Sequence, residues 1–238
     1  MKRNLLTIIA IVSIFILNHG STTLAATPIS DSNLRNTLTN VKDTDQVIIV
    51  KAKPNSTTAS VQGFEKINGQ WMASFQPIPA VIGKNGIGKT KEGDGKTPVG
   101  AFQIGNTFGW AKSPTNMKMP YKQTNKFHYW VDDVTSNDYN KWMYYTGNPS
   151  TRWKSFERLL HPLYKYSFVI RYNDQPIVKG KGSAIFFHVW KGPTSYTAGC
   201  VAVSEKHTVN ILRWLDENKK PIIVIGEHSK INSYLNNY

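Results

Sequence analysis

Two side chains able to share a proton, His188 and Cys200, stand at the two ends of the stretch HVWKGPTSYTAGC. Nucleophilic thiol chemistry needs a thiolate, a base within hydrogen-bond reach and donors for an oxyanion. His188 belongs to the apolar run SAIFFHVW, which reads as a strand and would fix the direction of its ring. Cys200 opens a second apolar run, CVAV, after the loop KGPTSYTAG. Gly199 lets the backbone approach a substrate closely, the N–H groups of 198–200 can face an oxyanion, and Thr197 or Ser195 can add a hydroxyl. Cys200 is the only cysteine, so no disulfide can form within the chain. That leaves an inert buried thiol, a bond between chains, or a reactive thiol. The histidine on the preceding strand favours the reactive thiol, whose thiolate fraction should exceed that of a free cysteine with a pKa of about 8.5. His128, His161, His207 and His228 have no cysteine near them in sequence, and no Cys/His group has zinc-ligand spacing, so neither metal nor cofactor is expected.

The elements that must position this pair are mostly strands. QVIIVKA (46–52), YSFVIRYN (166–173), SAIFFHVW (183–190) and PIIVIG (221–226) are β-branched or aromatic runs. Residues 59–75 read as two strands around Asn68-Gly69, a strong hairpin signal. From Pro77 to Gly105 the glycines and prolines suit loops and short strands. One helix is clear: Ser204 caps it, Glu205 suits its positive end, and Thr208, Ile211, Leu212 and Leu215 recur at helical spacing before Pro221. Further short helices are expected over 151–160 and 32–41.

Lys2 and Arg3, the apolar run Leu5–Leu17 and the small residues STTLAAT read as a signal peptide cleaved near residue 25. The expected division is a signal peptide (1–25), an N-terminal segment (26–45), a catalytic domain (46–228) and a tail (229–238). No later segment is apolar enough to span a membrane. Cleavage removes Lys2 and Arg3, taking the formal charge from +14 to +12. An exported protein so basic meets anionic partners such as phosphate- and carboxylate-rich wall polymers.

Two features invite other functions. GKNGIGKT (83–90) fits a phosphate-binding loop letter for letter, but proline-rich QPIPAV precedes it and KEGDGKTPVG, which cannot start a helix, follows. The plain reading is a glycine-rich turn. Residues 127–166 hold eleven of the chain's 28 aromatic residues. Their five basic and four acidic side chains make no basic stripe, which argues against nucleic acid and leaves core packing or a glycan or peptide groove. Asp133 and Glu157 in this block are candidates to contact a substrate amine.

At His188 and Thr197-Ala198-Gly199-Cys200-Val201 the chain resembles the L,D-transpeptidase (YkuD-like) catalytic domain family. VIGKNGIGKTKEGDGKTPVGAFQIG (81–105) is similar to the family's Gly-rich segment with its T-P-x-G, and DDVTSNDYN, SFERLL and KGKGSAIFFHV are similar to one branch of it. The resemblance implies a mainly β fold, a β-sandwich of mixed sheets with a few short helices, and action on peptidoglycan stem peptides outside the cytoplasmic membrane. It implies Cys200 as nucleophile, His188 as base oriented by a backbone carbonyl, an oxyanion hole at Gly199 and the turn before Cys200, and no metal. The chain departs from the family pattern at Ala198, where many members have His, and at Ala202, where many have Arg. Carboxylate recognition then falls to another cation, for which Arg158, Lys191 and Arg171 are candidates. The alternatives are a thiol L,D-carboxypeptidase with water as acceptor, or a non-catalytic basic wall-binding module.

Overall fold

The computed structural model describes residues 26–53 and 55–238. The expected signal peptide lies outside the described residues. Fourteen strands follow in order: β1 (Thr27–Pro28), β2 (Gln46–Ala52), β3 (Thr58–Ile67), β4 (Gln70–Ala73), β5 (Ile78–Val81), β6 (Gly100–Gly109), β7 (Tyr121–Gln123), β8 (His128–Val131), β9 (Trp142–Tyr144), β10 (Phe156–Arg158), β11 (Ser167–Ile170), β12 (Phe186–Val189), β13 (Val201–Val203) and β14 (Ile222–Glu227). Three α-helices accompany them: α1 (Ser32–Asn40), α2 (Glu205–Trp214) and α3 (Ile231–Asn236). The chain is thus mainly β with a few short helices.

Eleven strands form one mixed sheet in the order β1-β4-β3-β2-β14-β6-β11-β12-β13-β5, with β7 on β6. Because β3 also pairs with β5, eight of these strands close into a barrel-like ring. Closure leaves the ring no open edge along which another chain could pair. The remaining three, β10-β8-β9, form a small antiparallel sheet.

Alternation along the strands sorts the core. Ile48, Val50, Phe187, Val201, Ile223 and Ile225 share one cluster with Ile211, Leu212 and Leu215 from α2 and its end. Val47, Ile49, Ile222 and Val224, their neighbours on the opposite face, pack against α1 and α3. A third cluster, with Phe108, Trp130, Tyr164, Phe186 and Cys200, joins the ring to the small sheet. Truncating a fully buried ring such as Phe186 to Ala costs about 3–5 kcal/mol in such a core.

Local chemistry explains the elements. Ser204 caps α2 by accepting the His207 N–H at 3.3 Å. At the hairpin tip Asn68 and Gly69 both have positive φ (50° and 79°), as a two-residue turn matching the strand twist requires. The helix expected over 151–160 does not form. A 3-10 turn at Pro149–Thr151 leads instead into β10, which pairs with β8 from Phe156↔Val131 to Arg158↔Tyr129. Trp153 and Phe156 pack with Tyr129 and Val131, so tertiary burial of aromatic rings overrides helical spacing.

Candidate active site

His188 lies on β12, directly opposite Ala202 of the parallel neighbour β13, with Cys200 at the entrance to β13. Residues 200 and 202 share a sheet face, so this pairing brings His188 and Cys200 to the same side. Both are buried and line one cavity of about 450 Å³. His188 Nδ1 is 2.8 Å from the Val189 carbonyl oxygen, an atom that can only accept. Nδ1 therefore carries the proton and Nε2 is left as a base. The Cys200 thiol donates to the Ala184 carbonyl and its sulfur accepts the Phe186 N–H, both at 3.4 Å. The thiol must rotate away from Ala184 before His188 can take its proton.

The turn before Cys200 is tied down by hydroxyls. Thr197 Oγ1 donates to the Cys200 carbonyl at 2.7 Å and accepts the Gly199 N–H at 3.1 Å. Thr97, from the T-P-x-G segment, donates to the same carbonyl at 3.2 Å. Gly199 has φ of 151°, and a Cβ there would stand 2.9 Å from the Lys96 carbonyl oxygen, so only glycine fits.

Ala184 is held in the left-handed region (φ 53°), which costs a residue with a Cβ about 1–2 kcal/mol. Buried Asn140 maintains it. Its Oδ1 accepts from Ala184 N–H at 3.2 Å and Trp130 Nε1 at 2.9 Å, while its Nδ2 donates to the carbonyls of Tyr172 and Asn173. Asn140 thereby holds the residue whose carbonyl accepts the Cys200 S–H, a role visible only once residues distant in sequence are brought together.

Three acids, Glu92, Asp132 and Glu157, also line the cavity. Glu92 accepts from Tyr139 (2.5 Å) and Ser183 (2.7 Å), and Glu157 accepts from the buried Tyr164 hydroxyl, whose ring meets His188 edge-on at 5.4 Å. Asp132 Oδ1 is buried with no hydrogen-bond partner among the described residues. Glu157, expected at the site, lines the cavity; Asp133 does not. The Asp133 carboxylate is spent on Thr135 and the Lys154 N–H, which closes a turn and holds its pKa below the ordinary value. Its neighbour Asp132 faces the cavity instead. Arg158 is also outside, lying over the Tyr129 and Phe156 rings. Of the cations considered for carboxylate recognition, Lys191 lines the cavity, whereas Arg171 pairs with Asp174 beside a separate cavity of about 530 Å³. Ala202 is fully buried. The aromatic block is mainly packing: Trp130, Tyr139 and Trp153 are buried, and Tyr164 alone of its rings lines the cavity.

Burial dominates the titration of the pair. It pushes the Cys200 thiol up to about 12, with Glu157 adding to the effect, and pulls His188 down to about 4. At neutral pH both are uncharged, the reverse of the enriched thiolate expected from the sequence. Burial likewise raises Glu157 to about 7 and lifts Asp132 above its usual range. The arrangement suits general-base catalysis, in which His188 accepts the proton as sulfur attacks, rather than a standing ion pair. Among the described residues no group of three or more His, Cys, Asp or Glu is placed to hold a metal.

Sequence reasoning also missed Lys89. This lysine of the rejected phosphate-loop motif reaches the cavity and donates to Asp94 at 2.9 Å, with both side chains almost wholly buried.

No curated protein matches the chain. The family model for the L,D-transpeptidase catalytic domain, YkuD, matches residues 45–224. That span begins with β2, ends within β14 and contains every cavity residue named above, and by it the chain belongs to the L,D-transpeptidase catalytic domain family.

Proposed function

We propose that this protein is a cysteine-dependent L,D-transpeptidase that acts on peptidoglycan stem peptides. The observation that carries the reading is the pair His188, on β12, and Cys200, at the entrance to the neighbouring β13, in one cavity, with Nδ1–H committed to the Val189 carbonyl and Nε2 left as base. In the first half-reaction Cys200 yields its proton to His188 Nε2 while sulfur bonds to the carbonyl carbon before the stem's terminal residue. The carbonyl π pair moves onto oxygen. The oxyanion collapses, the C–N bond breaks, and the leaving amine takes the proton from His188. The product is a thioester on Cys200.

Backbone amides of the turn ending at Cys200 are the oxyanion donors in this reading. The Gly199 N–H is occupied by Thr197 Oγ1, so the hole rests on its neighbours, with Gly199 supplying close approach and Thr197 holding the turn. In the second half-reaction an amine attacks the thioester, gives a proton to His188, and Cys200 leaves as thiolate and recovers that proton. Glu92, Asp132 and Glu157 favour an amine as the acceptor, because each offers oxygens to its N–H groups, while Lys84, Lys89 and Lys191 balance their charge in the same cavity. Substrates of this kind lie outside the cytoplasmic membrane. Among the described residues no helix is long and apolar enough to cross a membrane. The net basic charge supports attraction to anionic wall polymers, which should weaken steadily with added salt.

The test is incubation with purified tetrapeptide stems, with and without a second amine-bearing stem, and product identification by mass spectrometry. Loss of the terminal residue with formation of a cross-linked dimer is the expected result. Terminal-residue loss without a dimer would mean that water is the acceptor, and no change in the stems would leave a non-catalytic wall-binding module.

A further inference from the structure

The glycine-rich turn 83–97 places a buried ammonium beside the nucleophile. Lys89 Nζ bonds Asp94 Oδ1 at 2.9 Å, its one hydrogen bond among the described residues. An ammonium carries three donors, so two N–H groups remain uncommitted. Asp94 itself is saturated, accepting also from the backbone N–H groups of Thr90 (2.8 Å), Lys91 (3.2 Å) and Lys96 (3.0 Å). The acid is thus a rigid bracket built by the turn, and it fixes the lysine head.

Two glycines make room for that side chain. A Cβ on Gly182 would come within 2.3 Å of Lys89 Cε, and one on Gly199 would sit 3.7 Å from Lys89 Nζ. The ammonium therefore lies against the backbone of the residue preceding Cys200, at the wall of the cavity where negative charge develops. Burial of a cation in such a position is costly unless an anion shares the site, and Asp94 is one such anion. Attack on a bound carbonyl would produce a second.

We propose that Lys89 is an electrostatic positioning residue of this site, whose free N–H groups stabilise the negative charge that forms on the Cys200 sulfur and then on the carbonyl oxygen. The assignment deepens the transpeptidase reading and rests on it for the second of these charges. It supplies a cation on the turn side of a chain that has Ala202 where many of its family have arginine. The other charged or titratable groups lining the cavity with Cys200 are Lys84 and Glu92 from the same turn, Asp132 and Glu157, His188 on β12, Lys191 just after it, and the Tyr164 and Tyr196 hydroxyls. Burial and Glu157 raise the thiol, and Lys89 is the one side chain that opposes them.

The experiment compares wild type with Lys89→Met and Lys89→Gln. Native folding is checked by near-UV circular dichroism, and the rate of Cys200 alkylation by iodoacetamide is followed by intact mass from pH 7 to 10. Removing a cation near a thiolate should lower the rate about tenfold at each pH, equivalent to an alkaline displacement of about one pH unit. With a stem peptide, formation of the acyl adduct should slow by at least the same factor while half-saturation changes less. A folded Lys89→Met protein with the wild-type alkylation profile overturns the proposal; should Lys89→Met lose its native spectrum, Lys89→Gln, which keeps a polar head without the charge, decides in the same way. Alkylation needs no stem peptide. A displaced profile together with inert stems would sink the transpeptidase reading and leave the role of Lys89 at sulfur standing.

Discussion

Asp94, which holds the cavity lysine Lys89, and Glu157, which lines that cavity, are carboxyl groups driven in opposite directions. Burial works to raise both. Around Asp94 the bonds from Thr90, Lys89, Lys96 and Lys91 outweigh it and hold the carboxyl at about 2. Glu157 has the Tyr164 hydroxyl to lower it, faces Asp132 and Glu92, and stands at about 7. Burial weighs more on Glu157 and donors are more numerous at Asp94, and the two effects together decide the charge. A tight turn brings its own backbone N–H groups to an acid a few residues away. A strand such as β10 has already committed its amides to the sheet, leaving an inward acid dependent on side chains. The turn therefore supplies a fixed ion pair and the sheet a group poised near neutrality, and the uncharged His188–Cys200 pair shares the cavity with Lys89 and Glu157.

The largest expected effect tests the pair that shares the cavity with both groups. Cys200→Ala should reduce thioester formation and product by at least about 10³-fold, and His188→Ala should do nearly the same, since the two act as a unit. Both should retain the native near-UV spectrum, because removing a small thiol or one ring leaves the barrel cores intact. Full activity in Cys200→Ala would make the comparison of the two acids irrelevant to chemistry. Next in size is Asp94→Ala. It deletes the bracket and strands Lys89 as a buried charge, for which a loss of about 3–5 kcal/mol in urea unfolding is expected. A loss below about 1 kcal/mol would mean that the turn holds itself without the acid. Asn140→Ala should fall below that, at about 2–3 kcal/mol, since it releases several buried hydrogen bonds together with the left-handed Ala184.

What was legible in the sequence was local. The run QVIIVKA is β2 residue for residue, Asn68-Gly69 does turn a hairpin, and Ser204 does cap a helix. His188 and Cys200 were legible because His188 lies near the end of one apolar run and Cys200 opens the next, and the parallel pairing of β12 with β13 brings them to one cavity. Side chains whose roles depend on partners from other segments were not. Lys89 matched a phosphate-loop pattern whose structural context is absent, yet the glycines that make the resemblance also let the turn fold around Asp94. Asp133 and Asp132 are adjacent, and neighbouring residues in extended chain face opposite ways, so an error of one position exchanges a turn acid for a cavity acid. Residues 151–160 have a helix-compatible composition, but Trp153 and Phe156 gain more by packing with Tyr129 and Tyr145.

The smallest expected effect sharpens the comparison most directly, because it asks whether Glu157 titrates where its place in the sheet says it should. Its folded pKa, about 7, lies above the ordinary 4.5. A raised value means that the native state binds the proton more tightly than the unfolded chain. The associated stability is fully present below about pH 4.5 and is lost as pH rises through about 7. Glu157→Gln stays uncharged throughout and has no such loss. His188 titrates in an overlapping window with the opposite sign, its depressed pKa adding stability as pH rises from about 4 toward 6.5, but that contribution is common to both proteins and cancels in their difference. Urea unfolding at pH 4.5, 6 and 8 should therefore show wild type losing ground to Glu157→Gln by about 1–3 kcal/mol across the series. The same substitution removes a negative charge that raises Cys200, so iodoacetamide should alkylate the variant a few-fold faster above pH 7. Parallel stability curves with unchanged alkylation would mean that Glu157 ionises like a solvent-exposed acid, and the contrast with Asp94 would then reduce to one unusual carboxylate in a turn.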